Sequence, residues 1–105
     1  MDTFALLADP TRRRILTSLA AGEHTVGELQ VVADAAQPAV SKHLRVLRDH
    51  RLVTARVDGP CRRYRLTPGP LRELDDWLLP FRDVWAGRLD ALSAHLDRTA
   101  AEQDR

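Results

Sequence analysis

Gln37, Ser41, Lys42 and Arg45 fall within the run QPAVSKHLR, and each side chain can donate hydrogen bonds. With Val40 at zero on a helical wheel, Leu44 and Leu47 come within about 40° of it, while Pro38, Lys42 and Arg45 occupy the far side with Gln37 and Ser41 beside them. A helix here separates a narrow apolar face from a donor face that carries two cations and no acid. Such donors match the acceptor edges of base pairs: Arg and Lys suit guanine O6 and N7, Gln suits adenine N6 and N7, and Ser suits either. An α-helix also fits the major groove of B-DNA. A second group of donors, Arg56, Arg62, Arg63 and Arg65, surrounds Asp58-Gly59-Pro60. Those arginines suit phosphates beside a groove or a reach into the minor groove, contacts that position a protein without reading sequence.

The charge distribution singles out the same region. The formal net charge is only +1, but residues 37–66 hold eight Lys or Arg against two acids, and residues 67–105 hold five Arg against eight acids. The middle of the chain is basic and its end acidic.

These side chains need elements to hold them. In ADPTRRRILTSLAAG, Asp9 can cap a helix, Pro10 suits its first position and Gly22 its stop, with Ile15, Leu16 and Leu19 facing inward. A short helix from Asp2 to Ala8 precedes it through Phe4, Leu6 and Leu7. Thr25 and Glu28 stand three apart as in a capping box and open a helix from Val26 to Ala33. DAAQP turns the chain into the donor-bearing helix, which runs to Asp49 or His50. The period then becomes two: Val53, Ala55 and Val57 alternate with polar neighbours, and Arg62, Tyr64 and Leu66 alternate with Arg63 and Arg65. This predicts a two-stranded hairpin that must lean on the helices before it, with Tyr64 packed inward. After TPGP, apolar residues from Leu71 to Leu96 recur three or four apart, predicting a helix to Arg98 with a kink or break at Pro80 and a frayed tail over 99–105. The fold class is mostly α with a β-hairpin wing: a helix-turn-helix followed by a wing, in a single domain over 1–98.

Several functions are excluded. At 105 residues there is room for one modest core, and chains this short often complete their burial by pairing with a copy. The opening MDTFALLADP is unlike a secretion signal and no run approaches a membrane span, which places the chain in the cytoplasm as an expectation. Cys61 is the one cysteine, and neither CxxC nor HExxH occurs, so no disulfide framework, standard zinc site or other cofactor is expected. No clustered nucleophile and base, phosphate-binding glycine loop or paired carboxylates suggest an enzyme.

FALLADPTRRRIL, TVGEL, QPAVSKHLRVLRDHRLV and RRYRL resemble, in order and spacing, the ArsR/SmtB family of bacterial winged helix-turn-helix transcriptional regulators. The likeness is close over residues 4–66 and loose over the final helix. It implies a homodimer joined through the first and last helices that binds an inverted repeat in double-stranded DNA and represses transcription. Its DNA-reading positions correspond to Gln37, Ser41, Lys42, His43 and Arg45; all but His43 lie on the face the wheel selects, and His43 sits on the flank beside Ala39 and Val46. Joining through those helices would use Phe4, Leu7, Leu74, Trp77, Leu78, Phe81, Trp85, Leu89 and Leu92, of which Trp77, Phe81 and Trp85 form an aromatic stripe.

The chain departs from that family in two places. Asp34 and Ala36 stand where members often have a turn glycine and a capping serine; Ala36 leaves an amide uncapped unless Asp34 compensates. Gln30 and Val32 stand where metal-sensing members carry cysteines, and His95, near Asp90 and Asp97, has no second histidine on its helix. His24 is expected in a loop and His50 near a helix end. A metal- or redox-responsive variant, the latter through Cys61, and a winged-helix module that holds a protein partner are the alternatives; nothing in the sequence identifies an effector.

Overall fold

Helix boundaries fall where side chains satisfy the free backbone groups. In the computed structural model, which describes residues 2–103, α1 (Thr3–Ala8) begins with the Asp2 carboxylate accepting from the Ala5 amide at 2.8 Å. Asp9 opens α2 (Pro10–Ala21) by accepting from the amides of Thr11 and Arg12 at 2.8 and 3.1 Å, and the Gly22 amide closes it on the Leu19 carbonyl. The capping box of α3 (Val26–Ala33) is formed in both directions: Thr25 Oγ1 accepts from the Glu28 amide, and Glu28 Oε1 from the Thr25 amide. α4 (Gln37–Asp49) starts without a side-chain cap at Ala36. Asp34 does not compensate; it ends α3 in the left-handed conformation (φ 50°, ψ 51°), its amide donating to the Val31 carbonyl.

The wheel arrangement of α4 holds, with Val40, Leu44 and Leu47 buried. They meet Ile15, Leu16 and Leu19 of α2 and Leu29 and Ala33 of α3, and Leu6, Leu52, Val53 and Tyr64 complete the core. Each large aliphatic side chain removed from water here is worth about 1.5–3 kcal/mol before conformational entropy is charged against it.

The hairpin forms from β2 (Val53–Asp58) and β3 (Cys61–Leu66), joined by Gly59-Pro60. Gly59 has φ 61°, which fits the first loop position of a type II′ turn, where an L side chain would be strained. It is not a two-strand unit. A third strand, β1 (His24–Thr25), pairs antiparallel with β3 through His24↔Tyr64 and Thr25↔Arg63, in the order β1-β3-β2. His24 therefore lies in a strand rather than a loop; two residues cannot display an alternation, and their pairing depends on a segment far along the chain. At the base of the hairpin, buried Leu52 donates its amide to the Leu47 carbonyl and accepts from the Thr67 amide, both at 2.9 Å.

These elements form one compact unit up to Glu73; a second begins at Leu74. α5 (Gly69–Gln103) starts before Leu71 and passes Arg98, so the helix takes in residues 99–103. Thr99, Ala100 and Ala101 contain no breaker, and Thr99 Oγ1 donates to the His95 carbonyl at 2.9 Å. Asp104 and Arg105 of the expected tail lie outside the described residues. Pro80 sits inside α5 without interrupting it. The missing amide removes one helical hydrogen bond, and the helix continues across the gap with the good helix formers Leu78, Leu79 and Arg82 beside it.

Candidate nucleic-acid interface

α4 and β3 face each other across a groove of about 610 Å³, lined by Ser41, Lys42, Arg45, Arg48, Asp49 and Arg62 among others. Four cations meet one carboxylate there. Pro38 lines the start of the groove and Tyr64 its floor. Gln37, exposed in the first turn of α4, shares with Ser41 and Arg62 a neighbouring cleft of about 540 Å³ beside Pro60 and Cys61 at the hairpin tip. Sequence reasoning missed Arg48. It lies three residues after Arg45 and so joins the same helical face, a relation the wheel already contained.

His43 is half-buried and does not line the groove. Its Nδ1 accepts from Arg12 Nε at 3.4 Å, so the imidazole faces α2.

The sheet divides the four wing arginines. Successive residues of a strand point to opposite faces, and directly opposed residues share one. Arg62 shares a face with buried Tyr64 and Val53 and turns into the groove. Arg56 and Arg63 are paired across β2 and β3 on the other face, with Arg65 opposite Thr54 beside them. These outer arginines are engaged within the chain: Arg56 Nη2 donates to Glu23 Oε2 at 2.8 Å, Arg63 Nε to Asp58 Oδ2 at 2.7 Å, and Arg65 Nε to Thr54 Oγ1 at 3.1 Å. The bond from Arg56 holds the Glu23 carboxyl below the usual carboxylate range, and the bond from Arg63 does the same for Asp58.

The apolar residues expected at a dimer contact are exposed or half-buried. Phe4 is 52% exposed on α1, and on α5 Trp77, Phe81, Trp85, Leu89 and Leu92 are 44–65% exposed. Leu7, Leu74 and Leu78 are half-buried. The Trp77 and Phe81 rings lie 4.8 Å apart, tilted by 43°. Cys61 and His95 are exposed, and among the described residues no cluster of three or more His, Cys, Asp or Glu could hold a metal ion. No helix among them is long and apolar enough to cross a membrane.

α3, its tight turn, α4 and the β2–β3 hairpin make this a winged helix-turn-helix protein, with the groove-lining helix in the place of a recognition helix. Residues 9–55 match the family model described as bacterial regulatory protein, arsR family, and the chain belongs to the ArsR family. The chain is 48% identical over 68 residues to the HTH-type transcriptional regulator Rv2034 of Mycobacterium tuberculosis, covering 65% of this chain and 64% of that one. To the transcriptional repressor SdpR of Bacillus subtilis it is 30% identical over 80 residues, covering 76% of this chain and 89% of that one. A crystal structure of a possible transcriptional regulator for arsenical resistance shares 42% identity at a TM-score of 0.69, covering 90% of this chain and 95% of that one. The chain thus spans just under two thirds of the length of the first of these regulators. The family consists of transcriptional regulators, not enzymes.

Proposed function

We propose that this protein is a homodimeric repressor that places α4 of each copy in successive major grooves of an inverted-repeat operator, about 34 Å apart. The observation that carries this is the cationic groove between α4 and β3, where Ser41, Lys42, Arg45, Arg48 and Arg62 converge. Gln37, Ser41 and Arg45 read base edges, and Lys42, Arg48 and Arg62 bind phosphates. The exposed apolar residues of α1 and α5 support pairing of two copies, since a row holding Trp77, Phe81, Trp85, Leu89 and Leu92 would otherwise remain in water. Such a protein works where the chromosome is, in the cytoplasm. No effector is assigned.

Fluorescence anisotropy with the DNA upstream of the gene tests the reading. Binding should weaken steeply with salt as phosphate contacts release counterions. Arg62→Ala, which removes one phosphate contact from each copy, should lower the slope of log K against log salt by about 1.8 on every duplex, whereas Gln37→Ala or Ser41→Ala should relax preference at particular base pairs. A flat salt dependence, or identical effects of the two classes of variant, would refute it.

A further inference from the structure

The outer face of the wing presents a chemical oddity. Arg56 and Arg63 stand directly opposite each other on exposed strands, where like charges repel and a Thr pair would suit the sheet better. Each guanidinium is held by a carboxylate: Arg56 by Glu23, which reaches it from the segment before β1 across β3, and Arg63 by Asp58 at the end of β2. All four side chains are between 33% and 55% solvent-exposed. Arg62, one residue before Arg63, points the other way into the groove. On the DNA-binding reading, a wing that offers Arg62 to a phosphate from its inner face also carries Arg56 and Arg63 on its outer face, on the two strands that meet at the tip Gly59-Pro60.

We propose that Glu23 and Asp58 are affinity-setting residues, internal stand-ins for phosphate that occupy Arg56 and Arg63 and so hold down the protein's affinity for DNA. This rests on the DNA-binding reading above. The carboxylates compete with the nucleic acid for the same guanidinium donors, and DNA must displace them to gain those contacts. An exposed ion pair is weak enough to be exchanged, yet strong enough to subtract from binding. The structural alternative, that these pairs only brace the sheet, predicts the opposite sign: loosening the wing would weaken binding.

The test measures full-length protein on a mixed-sequence duplex across a salt series. Glu23→Gln should bind about tenfold tighter at low salt, about threefold for each copy of the dimer, and steepen the salt slope by about 1.8, as one arginine in each copy is released to a phosphate. Asp58→Asn should do the same through Arg63. In each case the gain should vanish when the arginine is also removed, in Glu23→Gln/Arg56→Gln and Asp58→Asn/Arg63→Gln. A gain that survives in both double variants reflects only lost negative charge and overturns the proposal. So does unchanged or weaker binding by both single variants when their melting temperatures match the wild type; if one of them unfolds, the other pair decides. Failure of the wild type to bind any duplex would instead overturn the DNA-binding reading itself.

Discussion

The bare start of α4 offers a sharp test of how the donor-bearing helix is held. Ala36 is already in N-cap geometry (φ −71°, ψ 157°) and accepts the Val40 amide on its backbone carbonyl, but its side chain accepts nothing. The second helical residue is Pro38, which has no amide proton, so a capping hydroxyl would serve the third, Ala39. Ala36 is exposed, so a serine oxygen there would bury no polar group. Ala36→Ser should stabilise the protein by about 1 kcal/mol, the usual worth of a serine cap over alanine. For a folding unit of this size that corresponds to a rise in melting temperature of about 5 °C. Thermal unfolding followed by circular dichroism at one fixed protein concentration reads the change directly, because dimerisation would make the midpoint concentration-dependent. Ala36→Val, which adds bulk without an acceptor, is the control. If the serine variant melts with the wild type, or the valine variant gains as much, the amide at Ala39 is already satisfied in solution and the capping account fails.

Leu44→Ala should cost about 2–5 kcal/mol in urea unfolding, since Leu44 is 1% exposed at the junction of α2, α3 and α4; a loss under 1 kcal/mol would mean the core collapses around the gap. The amides of Arg12 and Thr11 hold the Asp9 carboxyl below its ordinary 3.8, so its contribution is present above that value and is lost as pH falls from 3.8 through the lower folded value. Asp9→Asn, which keeps an acceptor that does not titrate there, should show a shallower decline of melting temperature below pH 4, and parallel curves would refute the assignment. On α5, Trp85→Glu together with Leu89→Glu should yield monomers by sedimentation if the exposed row joins two copies; an unchanged mass would remove α5 from the interface.

Local chemistry made much of this molecule legible in the sequence. Asp9, Pro10 and Gly22 bracket α2, Thr25 and Glu28 open α3, and the spacing of Val40, Leu44 and Leu47 fixes which side of α4 faces outward. What was not legible depends on distant partners. β1 exists only because His24 and Thr25 meet Tyr64 and Arg63, a pairing no two-residue pattern can announce. The arginines around the hairpin tip read as one cationic cluster, but the alternation of β3 sends Arg62 one way and Arg63 the other, and Glu23 reaches Arg56 across an intervening strand. Arg48 was within reach of the wheel, while the turn of His43 toward Arg12 required the position of α2.

Leu52 connects the end of α4, through the Leu47 carbonyl, to the exit of β3 at Thr67, and its side chain is sealed in the core. The hairpin is thus clamped at its root, while at its tip Gly59 and Pro60 are exposed and a Cβ added at Gly59 would meet open space. Aim and reach are separable properties of this limb: residues inserted at the tip would extend it along an unchanged axis, whereas one residue inserted beside Leu52 would swing the whole limb away from the helix it accompanies.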